Sequence, residues 1–497
     1  MFRSCSLALL FIALLASPAD AARPNIVIVL ADDLGIGDAT CYNPDSRIPT
    51  PHLDRVAREG VRFDDAHAPS AVCTPTRYGL LTGHYAWRTR LTSGVLWTGW
   101  DRPLIEPGRP TLASFLRANG YRTAVAGKWH LGWSWASTDG TPVTVASHDQ
   151  VDYTRPVSSG PGDAGFDESF VIPASLDMPP YLWLQDDRVV AAPTGHTKGS
   201  QRRWSGGGGF WRAGPIAPGF EFDDVVPAVT EHAVAFVESC AAASRAGDEQ
   251  PFFLYVPLPA PHTPWVPAAE FQGRSVVGWY GDFVMQTDWA VGRILAALDR
   301  NGLAADTLLV VTSDNGAHWP AGQIARWQHH ANGPWRGQKA DIWEGGHRVP
   351  FLVRWPGRAP AGSISNALIG LVDLMATVAD AIDASLPPSA TPDGVSILPQ
   401  IRDPNRAPVS RTLVHHSLNG TFAVRRGRWK LVVDNLGSGG FTAPAKRPPA
   451  AGEPGGQLYD LETDPREQTN VWNAHPDIVA ELESALSAIR SKHRQAQ

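Results

Sequence analysis

Apolar positions along this chain fall into two patterns. Asn25-Ile26-Val27-Ile28-Val29-Leu30-Ala31 is a continuous, largely β-branched run that ends at Asp32-Asp33, as expected of a strand covered on both faces. Phe252-Phe253-Leu254-Tyr255-Val256 and Thr307-Leu308-Leu309-Val310-Val311-Thr312 repeat it, and the second runs into Asp314-Asn315-Gly316. Residues 283–299 have helical spacing instead, with Val284, Val291, Ile294, Leu295 and Leu298 apolar and Asn301-Gly302 as a stop. Buried strands alternating with amphipathic helices predict an α/β domain with a mostly parallel sheet. In such sheets ligands gather beyond the carboxyl ends of strands, where both acidic pairs fall.

Two stretches depart from this pattern. Residues 133–218 are rich in Gly, Pro, Trp and Asp with little periodicity, and read as an irregular insertion on the substrate side. Their Trp183, Trp204 and Trp211 suit a binding role, or equally a place in the core. Beyond Pro387, residues 421–425 and 429–433 alternate around Arg426-Gly427-Arg428 like an antiparallel hairpin, and a closing helix is expected from Pro476 to Arg494. The start, Met1-Phe2-Arg3, an apolar run over 7–16 and Ala19-Asp20-Ala21, reads as a secretory signal. The expected organisation is a signal peptide over 1–21, a catalytic domain over 22–390 and a smaller C-terminal α+β subdomain over 391–497. Such a protein is exported, to a periplasm or the medium, with no membrane attachment after cleavage.

Composition narrows the classes. The 497 residues are 43% hydrophobic and 19% charged, which excludes a disordered chain. A net charge of −6 with no Lys/Arg run argues against nucleic acid as the partner. Cys5 leaves with the signal, so Cys41, Cys73 and Cys240 remain, too few for a disulfide framework. A Cys41–Cys240 bridge would leave Cys73 single.

Cys73 opens Cys73-Thr74-Pro75-Thr76-Arg77-Tyr78-Gly79-Leu80-Leu81-Thr82-Gly83. Pro75, a short apolar run and Gly83 predict a helix beginning just after Cys73, which sets a reactive group at the positive end of the dipole with Arg77 one turn on. Asp32, Asp33, Asp314 and Asn315 offer only oxygen ligands, the set that suits a hard cation such as Ca²⁺. Taken one by one, these residues read equally well as turns, caps and a structural cysteine.

Together the motifs resemble those of the sulfatase family. Cys73-x-Pro75-x-Arg77 followed by Leu80-Leu81-Thr82-Gly83 is similar to the family signature. So are Gly127-Lys128-Trp129-His130-Leu131-Gly132, Ser313-Asp314-Asn315-Gly316, and Gly337-Gln338-Lys339 with Trp343-Glu344-Gly345-Gly346. Leu458-Tyr459-Asp460-Leu461 resembles the family's C-terminal turn. The resemblance covers nearly the whole chain after the signal and is nearest the arylsulfatase A and N-acetylgalactosamine-6-sulfatase branch. It implies an alkaline-phosphatase-like large domain and a sulfuric ester hydrolase. It also implies that a maturation enzyme oxidises Cys73 to formylglycine, whose gem-diol attacks sulfur beside Ca²⁺ and forms a sulfo-enzyme intermediate.

The resemblance further implies residue roles. Asp32, Asp33, Asp314, Asn315 and the modified Cys73 would hold the metal. Arg77, Lys128 and Lys339 would hold the sulfate. His130 would take a proton from the diol, and His262, in Pro261-His262-Thr263, would protonate the leaving oxygen with Lys339. Asp177, in the loop over 172–181, would contact the substrate, expected to be a sulfated saccharide or a small sulfate ester. A phosphomonoester or phosphonate hydrolase of the same superfamily and an inactive carbohydrate-binding scaffold are the alternatives. The intact cysteine motif favours sulfate, and the occupied catalytic positions favour an enzyme.

Overall fold

The computed structural model describes residues 23–202, 209–387, 390, 393–407 and 410–491. The expected signal peptide and Trp204 lie outside these residues. A ten-stranded sheet forms the centre. Its strands are β1 (Asn25–Asp32), β2 (Val61–Phe63), β3 (Arg122–Lys128), β4 (Glu168–Ile172), β5 (Leu184–Gln185), β6 (Arg188–Val189), β7 (Phe252–Pro261), β8 (Thr307–Ser313), β9 (Phe351–Arg354) and β10 (Ser363–Ser365). They lie in the order β10-β2-β9-β8-β1-β7-β3-β4-β5-β6. The middle strands β8, β1, β7, β3 and β4 are mutually parallel, and antiparallel pairing enters only outside them.

The three apolar runs are the three central strands, and every residue of β1, β7 and β8 is buried. Each strand runs one or more residues beyond its apolar core, so that β7 continues to Pro261. The helix expected over 283–299 spans Gly278–Arg300, and Gly302 follows it in a left-handed conformation, φ 72°. Most of the stretch over 133–218 is irregular, yet it does not stand apart from the sheet. Glu168–Ile172 pairs in parallel with β3, and Trp133 and Trp135 are buried in the main core. Glu168-Ser169-Phe170-Val171-Ile172 opens on two polar residues and has only three apolar ones in a row, so it shows neither a continuous run nor an alternation.

The second sheet is antiparallel, with β11 (Thr412–His416), β12 (Phe422–Arg426), β13 (Trp429–Val433) and β14 (Gly456–Asp460) in sequence order. The expected hairpin is β12–β13. The closing helix, Pro476–Ser491, buries Val479, Leu482 and Leu486 against this sheet. Tyr85, Trp87 and Val372 of the larger part share that core. Cys41, Cys73 and Cys240 are all unpaired.

Candidate active site

Five adjacent parallel strands deliver the site from their carboxyl ends. β1 finishes at Asp32 and turns through Asp33, φ 66°. β8 is followed by Asp314-Asn315, β3 ends in Lys128 two residues before His130, φ 57°, and β7 ends just before His262. β4 leads into the loop with Ser175 and Asp177. Left-handed conformations are uncommon and costly outside glycine, yet Asp33, His130 and Ala340 (φ 77°) all adopt one here. Gly127, φ 141°, has a specific reason to be glycine: a Cβ there would stand 2.1 Å from the Pro257 carbonyl oxygen. Its absence lets β3 press against β7, which brings Lys128 and His262 into one space.

The helix α1 spans Cys73–Thr82 and begins at Cys73 itself, one residue earlier than the pattern suggested. Val72 is the extended residue before it, and Gly83, φ 72°, closes it. All ten helix residues are buried, so the helix N-terminus and Arg77 face the site away from bulk water. Cys73 Sγ lies 3.5 Å from His130 Nδ1, and it falls within 4.8 Å of carboxylate oxygens of Asp32 and Asp314.

Three cations face three carboxylates. Lys128 Nζ is 2.7 Å from Asp32 Oδ2, Lys339 Nζ is 2.7 Å from Asp33 Oδ1, and Arg77 donates from Nη2 to Asp314 Oδ2 at 2.7 Å. Asn315 Nδ2 donates to Asp33 Oδ1 at 2.6 Å, and His262 Nε2 stands 3.8 Å from Asp33 Oδ2. Asp177 is tied to Arg212 and lies close enough to His262 for their charges to interact. Every one of the expected site residues is thus brought to one place, with Asp177 at its margin.

The charges are strongly perturbed. Burial raises the Asp314 carboxyl, and the charge of Asp32 raises it further, against Arg77 and Lys128. Burial acts the same way on Asp32, but Lys128, His262, Arg77 and Lys339 together outweigh it and hold that carboxyl well below its usual range. His130 is held well below the usual histidine range by burial and then by Lys128. Its Nε2 lies 2.7 Å from the Leu96 carbonyl oxygen, which can only accept. The proton therefore sits on Nε2, and Nδ1 presents a lone pair toward Cys73. Burial pushes the Cys73 thiol up despite Lys128 and Lys339, so as a thiol it stays protonated.

Residues 24–384 match the sequence profile of the Sulfatase family. The chain belongs to the sulfatase family. It is 33% identical over 509 aligned residues to N-acetylgalactosamine-6-O-sulfatase of Bacteroides thetaiotaomicron, which covers 95% of this chain and 94% of that one. Human arylsulfatase A is 32% identical over 515 residues, covering 97% and 90%. A solved structure from work on glycosaminoglycan metabolism by Bacteroides thetaiotaomicron superposes with a TM-score of 0.81 at 31% identity, over 95% of this chain and 100% of that one. The present protein is accordingly a sulfuric ester hydrolase, and its architecture is the alkaline-phosphatase-like one of sulfatases.

The residues of this sulfatase fit a hard cation. Asp32 Oδ1 and Asn315 Oδ1 are buried oxygens with no hydrogen-bond partner, and both belong to the acidic cluster at the β1 and β8 ends. The mutual opposition of Asp32 and Asp314 is what an added positive charge would relieve. The donors are oxygens apart from Cys73 and the His262 nitrogen that lies with Asp32 and Asp33, and this predominance of carboxylate and amide oxygen matches Ca²⁺ chemistry better than that of a soft metal.

Several supporting groups gave no signal in the sequence. Leu96 acts through its backbone carbonyl, so its side chain says nothing. Ser313 Oγ accepts from Leu34 N at 2.9 Å and ties the two acidic loops together. Glu344, in the motif that follows Lys339, is held by another lysine: Lys430 Nζ lies 3.0 Å from its Oε1 and 2.8 Å from Glu467 Oε1, all fully buried. That pairing pins the β13 strand to the segment after Lys339. Charged residues inside apolar strands, as Lys430 is, were the available hint. Trp183 stacks on Phe170 at 4.3 Å and Trp211 packs on Phe222 at 4.9 Å, which makes both packing residues.

Proposed function

We propose that this sulfatase cleaves sulfate monoesters from sulfated saccharides, using residue 73 in its oxidised, formylglycine form, with Ca²⁺ held by Asp32, Asp33, Asp314 and Asn315. The observation that carries this reading is the surroundings of Cys73. A protonated, buried thiol is a poor nucleophile, yet three cations, an oxygen-ligand cluster and a histidine lone pair converge on it. A hydrated aldehyde at this position supplies a hydroxyl nucleophile and a second hydroxyl, and a bound cation would supply charge that lowers their proton affinity.

The protein's own groups then divide the work. Arg77, Lys128 and Lys339 hold the sulfate oxygens in a dry site, where charge that grows in the transition state is met without reorganisation. Lys339 is held above the usual lysine range by Asp33 despite its burial, so it stays charged as it does so. His262, whose Nδ1 is 2.5 Å from the Thr263 carbonyl oxygen, aims Nε2 into the site, the atom that delivers a proton to the departing oxygen. His130 Nδ1 takes the proton whose loss releases sulfate. Asp177 accepts from a substrate hydroxyl. The saccharide assignment is supported by the relative named N-acetylgalactosamine-6-O-sulfatase, aligned almost end to end.

Mass spectrometry of the tryptic peptide spanning 63–77, from protein made in its native host, tests the nucleophile. The expected peptide has lost H₂S and gained one oxygen. Cysteine alone would overturn the reading. Rates on 6-O-sulfated N-acetylgalactosamine, an aryl sulfate and the matching phosphate esters test the substrate, and a preference for phosphate would move the enzyme to the phosphatase side of the superfamily.

A further inference from the structure

Among the described residues only two aromatic side chains are left exposed, Trp97 (52%) and Phe441 (45%). The remaining exposed large hydrophobics are scattered Val and Ile. Both aromatics adjoin segments that touch the site: Gly440 packs against the Ala340 carbonyl, and Leu418, which accepts from Gly94 N, donates to that same carbonyl. Trp97 directly follows Leu96, whose carbonyl fixes His130 and whose N–H donates to Thr74 Oγ1 at 3.3 Å, beside Cys73. Phe441 directly precedes Thr442, whose N–H donates at 3.0 Å to Asp341, two residues beyond Lys339. The first aromatic is therefore reached from the β3 side of the site and the second from the β8 side.

Neither side chain is on a loose loop. Asp101 Oδ2 accepts from both Trp97 N and Thr98 N at 2.8 Å, and Gly94 N donates to the Leu418 carbonyl at 2.8 Å. Phe441 rests on His318 with ring centroids 4.9 Å apart, and Ser438 Oγ donates to the Thr442 carbonyl at 2.5 Å. An indole and a phenyl ring left about half exposed on hydrogen-bonded segments that adjoin the site keep apolar surface there that a ligand can cover. The sulfate end of a substrate is met by cations deep in the site, so the rim meets the uncharged part. The C–H face of a pyranose is weakly positive and apolar, and it packs on the negative face of an aromatic ring.

We infer that Trp97 and Phe441 form a stacking subsite for the sugar unit adjoining the sulfated one, so that the enzyme acts better on a sulfated oligosaccharide than on the isolated sulfated sugar. This rests on the saccharide-sulfate reading above. The test measures kcat and KM on 6-O-sulfated N-acetylgalactosamine and on a trisaccharide ending in that unit, for the wild type and for Trp97→Ala, Phe441→Ala and Trp97→Phe. Each alanine variant is expected to lower kcat/KM on the trisaccharide about 3–15-fold, mainly through KM. That loss should exceed the loss on the monosaccharide by a factor of about three or more, and Trp97→Phe should recover most of it. Equal losses on both sugars, or none on the trisaccharide, would overturn the subsite. A larger loss on an aryl sulfate than on the trisaccharide would also overturn it, assigning the rings to an aryl group. Failure of the substrate reading itself is separately visible: the wild type would then hydrolyse neither saccharide before any substitution is made, and both ideas would fall.

Discussion

His130 Nδ1 faces Cys73 Sγ at 3.5 Å while its Nε2 is spent on the Leu96 carbonyl at 2.7 Å. Burial and Lys128 keep this imidazole neutral, so the atom beside residue 73 is a lone pair. A neutral base at that point suits removal of a proton from residue 73, the step that frees sulfate in the mechanism proposed above. His130→Ala should therefore release the first alcohol and then stall, giving a burst of about one product per site with a steady rate lowered about 10²–10⁴-fold. Stopped-flow or quenched-flow product counting checks it. Linear progress without a burst would take His130 out of the second half of the reaction.

His262 should fail at the other step. Its Nδ1 is held by the Thr263 carbonyl, so only Nε2 reaches the site. Burial and then Lys339 lower this imidazole's proton affinity, against Asp33, Asp32 and Asp177. An acid of lowered pKa loses its proton as pH rises through a value below the usual histidine one, so kcat/KM on sugar sulfates should fall toward neutral pH. His262→Ala should remove that limb and show no burst. Its loss should be smaller on an aryl sulfate, whose phenolate leaves unaided, than on a sugar sulfate, whose alkoxide needs the proton. Equal losses on both would end the acid assignment.

What could be read from the sequence was whatever is carried by side-chain identity along a continuous run. The strands β1, β7 and β8 were visible because burial on both faces requires unbroken apolar stretches, and the acids that end β1 and follow β8 located the site. Cys73, Lys128, His130 and Lys339 were found through short motifs, although sequence spacing said nothing of the distances that join them. Strand β4 gives no such signal because Glu168 and Ser169 interrupt it, leaving three apolar residues in a row. The Leu96 carbonyl escaped because any residue could supply it. Trp97 gives no signal for the opposite reason: the chain has 19 tryptophans, and sequence alone does not separate an exposed one from those that pack.

The three carboxylates and three cations of the site already neutralise one another, as the Lys128–Asp32, Lys339–Asp33 and Arg77–Asp314 contacts show. A divalent cation bound there leaves surplus positive charge, which an anionic sulfate ester would offset. Metal and anion should therefore bind cooperatively. Chelation is expected to cost kcat at least about 100-fold, in line with losses of single catalytic donors of roughly 3–4 kcal/mol, while the ion pairs preserve the fold at 25 °C. Inorganic sulfate should raise the Tm more in excess Ca²⁺ than in excess chelator. Full activity in exhaustively chelated protein would refute the metal assignment, and an identical sulfate effect in both conditions would refute the coupling.

Away from the site, Asp288 supplies a pH-dependent term to stability. It lies on the helix Gly278–Arg300 and caps another one, Pro51–Glu59, whose own Thr50 makes no side-chain cap. Asp288 Oδ1 accepts from His52 N at 3.0 Å and Leu53 N at 2.8 Å. A carboxylate at a helix N-terminus gains about 0.3–1 kcal/mol from the dipole, but burial costs more, and it pushes this carboxyl from its ordinary 3.8 up to about 7 despite both hydrogen bonds. The folded state thus holds a proton here that the unfolded chain has already released. The stabilisation is fully present below about pH 4 and is lost as pH rises through about 7. Asp288→Asn keeps an oxygen for both N–H groups and cannot ionise. It should be more stable than the wild type by about 1–3 kcal/mol at pH 8, with the gap closing at pH 4.5, as read from denaturant unfolding at the two pH values. Asp288→Ala should be destabilised at the acidic pH by about 1 kcal/mol through loss of the cap. A gap between the Asn variant and the wild type that is the same at both pH values would show that Asp288 ionises in the fold as freely as in the unfolded chain.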